Sequence, residues 1–280
     1  MSDHTAGCTT SGFTALGPAL LFCPADRPDR YHKAAAAADG VILDLEDAVA
    51  PGAKASAREA LIGSDLDPAR TVVRLNPAAS AEFDRDLVAL ARTSYTKVML
   101  AKAETATDLD RLVDLQVIAL CESPLGVSNA GALAGHPSVV ALMWGAEDLV
   151  AALGGSSSRK PDGSYRDFAR YARSHVLIAA AGAGKVAYDA VHLNISDDAG
   201  LEEEAEDAAA SGFAGTVCIH PRQVPIVRAA YHPSAESVAW ATDVLAAADG
   251  AGNGVFAHRG QMVDEPVLRQ ARRVLTRASA

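Results

Sequence analysis

Aromatic side chains are scarce, 5% of 280 residues, so bulky rings do not dominate the packing. Alanine is abundant instead, which favours helices packed through small side chains. No apolar run is long enough to span a bilayer as a helix. Excess basic charge is also absent. The formal net charge of -10 argues against a general nucleic-acid or membrane surface, although a local basic patch for an anionic ligand remains compatible with it. Cysteine is limited to Cys8, Cys23, Cys121 and Cys218, with no CxxC pair and no zinc spacing. The last three lie in apolar strand-like runs and read as buried free thiols, which suits a cytoplasmic protein. The N-terminal MSDHTAGCTTSGFTA lacks the apolar core and basic flank of a secretory signal, so residues 1–16 are expected to be a mobile tail. No G-x-G-x-x-G follows the first strand, which weakens a dinucleotide-binding fold.

What is present is a regular alternation of short apolar runs and longer helical stretches. Eight strands are expected: Ala19–Cys23, Val41–Leu45, Thr71–Leu75, Lys97–Leu100, Val117–Cys121, Val139–Trp144, Ala187–Leu193 and Thr216–Ile219. Most are apolar throughout, as in parallel strands covered on both faces. Helices are expected between them, at Asp29–Ala38, Ala53–Ile62, Ala81–Ala91, Thr107–Leu115, Asp167–Ala181 and Leu201–Ala210. Eight βα units make a (β/α)₈ TIM barrel the first choice over residues 17–230, with a doubly wound sheet as the alternative.

The stretch VVALMWGAED, Val139–Asp148, condenses the argument. A buried strand ends in Gly145, and Ala146, Glu147 and Asp148 open a helix. Glycine permits close backbone approach to a ligand, a carboxylate there can hold a divalent cation, and first-turn N–H groups can hold an anion. A capped helix after a buried strand is the plainer reading of the same residues.

The other strand ends are polar too: Asp44, Glu46 and Asp47; Arg74 and Asn76; Lys102; Glu122; His192 and Asn194; His220. In a barrel these C-terminal strand ends carry the chemistry. The loop Gly154–Tyr165, GGSSSRKPDGSY, reads equally as a surface loop or a lid. Arg222–Ala230 is expected to be the last barrel helix. Residues 231–280 should add a helix capped by Ser234, a break at Gly250–Gly254, a turn at Arg259-Gly260 and a terminal helix from Pro266. This extension is too short for an independent core and is expected to pack on its own barrel or a neighbouring subunit.

Seven motifs, in order along nearly the whole chain, resemble the citrate lyase β-subunit-like family, which includes citramalyl-CoA and malyl-CoA lyases. They are FCPADRPDRYHK (Phe22–Lys33), VILDLEDAV (Val41–Val49), VVRLN (Val72–Asn76), CES (Cys121–Ser123), WGAEDL (Trp144–Leu149), CIHPRQ (Cys218–Gln223) and GQMVDEPVLRQA (Gly260–Ala271). The resemblance implies a (β/α)₈ barrel, a homotrimer or dimer of trimers, and Mg²⁺. It implies reversible Claisen-type cleavage of a 3-hydroxyacyl-CoA to acetyl-CoA and a 2-oxo acid. It makes Glu122 and Asp148 the metal ligands and Arg74 the binder of the 2-oxo acid carboxylate. It makes Asp264 the acid/base group, supplied by the C-terminal segment of an adjacent subunit. Gly145, Ala146 and Glu147 would line the same anion site. Phe22, Arg27, Arg30 and Lys33 would meet CoA, although relatives often carry Tyr at the position of Phe22 and a basic residue near Asp29. Asp44, Glu46 and Asp47 would hold Arg74 and metal-bound water in place.

The residue types suit that chemistry. Mg²⁺ prefers oxygen ligands and retains open positions, and it polarises the oxygen at which alkoxide character develops. Arginine offers a planar fork to a carboxylate. Competing readings are a Schiff-base aldolase using Lys102, which requires a depressed lysine pKa; a thioesterase or malate-synthase-like activity; and a citrate lyase subunit whose substrate rides on an acyl-carrier partner. The sequence does not choose among malyl-, citramalyl-, citryl- and 3-hydroxy-3-methylglutaryl-CoA, which differ by small groups at one carbon.

Overall fold

The computed structural model describes residues 15–251 and 254–279. Eight parallel strands close into a barrel in sequence order, β8 pairing back onto β1. They are β1 (Ala19–Pro24), β2 (Gly40–Asp44), β3 (Thr71–Leu75), β4 (Lys97–Leu100), β5 (Gln116–Cys121), β6 (Val139–Trp144), β7 (Val186–Asp189) and β8 (Gly215–Cys218). Closure pairs every strand on both sides, so the doubly wound alternative is excluded.

The helices of the barrel unit are α1 (Tyr31–Ala37), α2 (Lys54–Ile62), α3 (Ala81–Leu90), α4 (Pro124–Ser128), α5 (Ala130–Ala134), α6 (Ala146–Ala152), α7 (Asp167–Gly182), α8 (Asp198–Ser211) and α9 (Gln223–Tyr231). Alanines form much of their buried faces: Ala169, Ala172 and Ala180 in α7, and Ala205, Ala208 and Ala209 in α8.

Strand alternation fills the barrel. Leu20, Ile42, Val72, Met99, Ile118, Leu120, Ala141, Met143, Tyr188 and Val217 form one buried cluster. Side chains two residues apart share a strand face. The same faces therefore present Phe22, Asp44, Arg74 and Glu122 two positions further on, with Gly145 two past Met143. The polar mouth is thus the next layer of the same alternation that builds the core.

Three expectations need correction. The fourth connection, expected as a helix at 107–115, is a 3₁₀ helix at Ala106–Leu112. Its buried Leu109 and Leu112 are three apart, which suits three residues per turn, and Asp108 accepts the N–H groups of Glu104 and Thr105 at 3.0 and 2.8 Å. Strand β7 stops at Asp189 rather than Leu193. There the carboxylate takes a hydrogen bond from the Ala190 N–H at 3.0 Å and others from Trp144 and Arg173. The segment Asp29–Ala38 is split, a 3₁₀ turn at Pro28–Arg30 preceding α1. The expected tail at 1–16 largely lies outside the described residues, but its end is fixed: the Leu16 N–H donates to the Tyr188 hydroxyl at 3.1 Å.

The chain divides into two compact units, one up to Val227 and one from Arg228. The second contains α10 (Ala235–Ala251), a hairpin of β9 (Phe256–His258) and β10 (Gln261–Val263), and α11 (Glu265–Ala278). Arg259 and Gly260, at φ 48° and 78°, make the hairpin turn. Ser234 caps α10 through the Ser237 N–H at 3.1 Å. Ala241, Val244, Val263 and Ala271 form a small buried cluster. The expected break at Gly250–Gly254 falls partly outside the described residues. Among the described residues, no helix is long and apolar enough to cross a membrane.

Candidate active site

The site gathers at the C-terminal ends of β2 to β6. Glu122 follows β5 and is 4% exposed. Its Oε1 accepts the backbone N–H of Lys102 at 3.0 Å. Gly145 faces it: a Cβ built there would lie 2.9 Å from both Cβ and Oε2 of Glu122. Glycine at this point is thus a matter of space, because its φ of -131° is ordinary extended backbone. Asp148 comes from the first turn of α6 and is partly exposed.

Lys102 ties these groups together. Its Nζ lies 2.6 Å from Glu46, 3.1 Å from Asp148, 3.4 Å from Asp47 and 4.0 Å from Glu122. Burial acts to lower its pKa. The hydrogen bond to Glu46 and the fields of Glu122, Glu46 and Asp148 outweigh burial and raise it. A protonated ammonium among carboxylates is not a nucleophile, so the Schiff-base reading of Lys102 is set aside.

Arg74 projects from β3 opposite Asp44 on β2. Its Nε and Nη2 donate to Asp44 at 2.6 and 2.5 Å, and its Nη1 stands 3.2 Å from Glu46. Asp44 also accepts the N–H groups of Glu46 and Ala48 at 2.8 and 3.0 Å, which fully engages its buried oxygens. The Phe22 ring lies 4.7 Å from the Arg74 guanidinium carbon. Burial raises the pKa of Glu46, opposed by Arg74 and Lys102. Asp47 is exposed, and its N–H donates to Glu46 at 2.8 Å.

Burial, with the Asp148 charge adding to it, pushes the Glu122 carboxyl up to about 8. A carboxyl raised by burial and by a second carboxylate's charge favours a proton or a nearby cation. Among the described residues, no three His, Cys, Asp or Glu side chains converge as metal ligands. Two carboxylates with open positions around them suit an octahedral oxygen-loving ion better than a closed cage of protein ligands.

Around this centre stand supports that the sequence did not reveal. Lys54 Nζ donates to the carbonyls of Leu45 and Glu46 at 2.8 and 3.0 Å and to Asn76 at 2.7 Å, fixing the turn that carries Glu46. These partners lie up to 22 residues away, so no spacing pattern signals them. The loop at 154–165 is a pinned hairpin. Ser158 donates to Glu147 at 2.7 Å, and Arg159 binds Glu204 and the Tyr165 hydroxyl. The Tyr165 ring meets Trp144 edge-on at 5.2 Å. His192 sits between Glu204 and Asp197 at 2.8 and 3.2 Å, a structural position.

Arg27, Arg30 and Lys33 are exposed on the turn and helix after β1, and Arg27 lies 3.4 Å from Asp29. Asp264 belongs to the second unit, where it caps α11 through the Val267 N–H at 3.3 Å. Cys23, Cys121 and Cys218 are buried free thiols.

A closed eightfold barrel whose mouth gathers buried carboxylates, an arginine and a lysine has the layout of a barrel enzyme, with its polar groups at the C-terminal strand ends. The chain belongs to the HpcH/HpaI aldolase/citrate lyase family, which its residues 19–221 match. It is 58% identical over 264 residues to a citrate lyase subunit beta-like protein of Mycobacterium tuberculosis, covering 94% of this chain and 96% of that one. It is 29% identical to the human mitochondrial citramalyl-CoA lyase, covering 94% of this chain and 85% of that protein. The crystal structure of M. tuberculosis CitE with magnesium, acetoacetate and coenzyme A superposes with a TM-score of 0.91 at 57% identity, covering 94% and 98% of the two chains.

Proposed function

We propose that this protein is a Mg²⁺-dependent carbon–carbon lyase that cleaves a 3-hydroxyacyl-CoA to acetyl-CoA and a 2-oxo acid. The observation that carries this reading is buried Glu122, given room by Gly145 and lying within the field of the Asp148 carboxylate at the barrel mouth. Relatives crystallised with magnesium and pyruvate, or with magnesium, acetoacetate and coenzyme A, support it. Glu122 and Asp148 would hold Mg²⁺, which when bound supplies Lewis-acid polarisation of the substrate oxygen.

The chain's own residues do the rest. Arg74, fixed by Asp44 and Glu46, retains N–H groups to orient the carboxylate of the 2-oxo acid. Glu46 and Asp47 hold Lys102 and the water around the ion. Gly145, with the N–H groups of Ala146, Glu147 and Asp148, lines the carboxylate. Phe22, Arg27, Arg30 and Lys33 line the approach of CoA. Asp264 carries the proton to the terminal carbon of the nascent acetyl group and removes it in the reverse direction. It comes from residues 231–280 packed on a neighbouring subunit of a homotrimer or dimer of trimers in the cytoplasm.

The test is a coupled assay of acetyl-CoA and 2-oxo acid release from malyl-, citramalyl-, citryl- and 3-hydroxy-3-methylglutaryl-CoA, with Mg²⁺ and then EDTA. Release of both products, lost on chelation and in Glu122→Gln and Asp148→Asn, is expected. Undiminished turnover in either folded variant sinks the metal assignment. Free CoA with intact hydroxy acid would instead identify a thioesterase.

A second reading is favoured by 33% identity to the citrate lyase subunit beta of Leuconostoc mesenteroides: a β subunit acting on a carrier-bound citryl thioester. Turnover of free CoA thioesters by the isolated chain argues against it.

A further inference from the structure

Lys102 adopts a backbone conformation that L residues avoid, with φ of 49° in the left-handed region. That turn sends both ends of the residue into one acidic pocket. Its N–H donates to Glu122 Oε1 at 3.0 Å. Its Nζ stands 3.1 Å from Asp148 and 4.0 Å from the same Glu122 oxygen. The ammonium is thus within ion-pair reach of both carboxylates proposed to hold the ion, and Glu46 at 2.6 Å and Asp47 at 3.4 Å share it.

We propose that Lys102 is a built-in competitor for the divalent cation. Its ammonium stands in for the ion between Glu122 and Asp148 in the metal-free chain and withdraws onto Glu46 and Asp47 when the ion binds. This rests on the reading of Glu122 and Asp148 as metal ligands. Magnesium sits about 2.0–2.1 Å from its oxygen ligands. An ion touching both carboxylates would therefore crowd an ammonium held at its present distances and take the Asp148 oxygen with which Nζ is ion-paired. Side-chain rotation relieves this, because Glu46 and Asp47 are partners the ammonium already has and can keep. The backbone N–H of Lys102 stays on Glu122 throughout. One residue thus orients the ligand through its main chain and screens it through its side chain. Removing any fixed cation this close to Asp148 would tighten metal binding, so a lysine that is only a permanent counter-ion for Glu46 is told apart by acetylation that does not change when metal is added.

The experiment is a titration of Mn²⁺ into wild type, Lys102→Gln and Glu122→Gln, followed by electron paramagnetic resonance of the free ion. In parallel, acetylation of Lys102 in the intact wild-type protein is measured by mass spectrometry with and without Mn²⁺. The expected result is Mn²⁺ binding at least about tenfold tighter in Lys102→Gln than in wild type, a clear shift on an affinity scale. Acetylation of Lys102 in wild type should rise when Mn²⁺ is added. Unchanged or weaker binding in Lys102→Gln overturns the proposal. If that variant does not fold, labelling that stays constant or falls on adding metal overturns it, and a rise sustains it. Binding to wild type that is lost in Glu122→Gln but unaltered in Lys102→Gln removes the competitor and leaves the metal reading standing. Failure of both wild type and Lys102→Gln to bind Mn²⁺ removes both.

Discussion

Asp44 and Arg74 are register partners on neighbouring strands of the barrel, and both carboxylate oxygens of Asp44 bind the guanidinium, at 2.6 and 2.5 Å. Asp44 has no solvent exposure. Removing the arginine strands a buried charge. Arg74→Ala is expected to lower unfolding free energy by about 3–5 kcal/mol. Asp44→Asn combined with Arg74→Met should recover most of that loss. Urea denaturation of the two variants beside wild type checks this. Pyruvate binding by the double variant then isolates the substrate role: a recovered fold that still binds pyruvate normally removes Arg74 from recognition.

Gly145 leaves room for the Glu122 carboxylate. A methyl group there meets Glu122 Cβ and Oε2 at 2.9 Å. Gly145→Ala should cost about 1–3 kcal/mol by overpacking and weaken metal binding more than thioester binding. Calorimetric titration with Mg²⁺ provides the comparison, and wild-type affinity in the variant would show that the carboxylate relaxes freely.

His192 titrates within the network that fixes the hairpin. The hydrogen bond to Glu204 raises its pKa above the usual value, against burial. A histidine with a raised folded-state pKa contributes stability that is fully present below its unfolded pKa of about 6.5 and is lost as pH rises through the folded value. The wild-type thermal midpoint should therefore fall by about 1–3 °C across the interval just above pH 6.5. His192→Gln should fall less steeply there, the remaining slope coming from Glu122, whose carboxyl is held up to about 8. Parallel slopes in the two proteins would place the titration elsewhere.

Asp264 has a local duty and a proposed chemical one. Its carboxylate caps α11. Asparagine caps nearly as well, whereas alanine costs about 0.5–2 kcal/mol. Asp264→Asn should thus keep wild-type stability and lose about 10²–10⁴ in turnover, the usual share of a general acid/base. Deuterium exchange into the acetyl-CoA methyl group should fall in step. Turnover near wild type would confine Asp264 to capping.

Seven of the eight strands were legible to within about a residue or two, because strands buried on both faces leave unbroken apolar runs. Strand β7 was overestimated because Ala190 and Val191 prolong the apolar run, while the hydrogen bonds at Asp189 end the pairing. The 3₁₀ segment before β5 carries a leucine spacing that helical periodicity also accepts, so pattern alone did not separate the two. The hairpin at 154–165 read as loop composition, and its order comes from Glu147, Glu204 and Trp144 on other elements.

The sequence by itself determined the barrel's periodicity and the kinds of group at each strand end, since both follow from local alternation and turn chemistry. Asp44, Arg74, Glu122 and Gly145 were legible for this reason: each lies two residues beyond a core position on its own strand. Only the tertiary structure decided who pairs with whom. Closure brought Lys102, just past β4, onto Glu46, just past β2, a pair 56 residues apart, and set Gly145 against Glu122. These contacts depend on strand order and stagger, which appear in no single stretch of sequence. They determine whether a buried carboxylate meets a lysine, a proton or a metal ion.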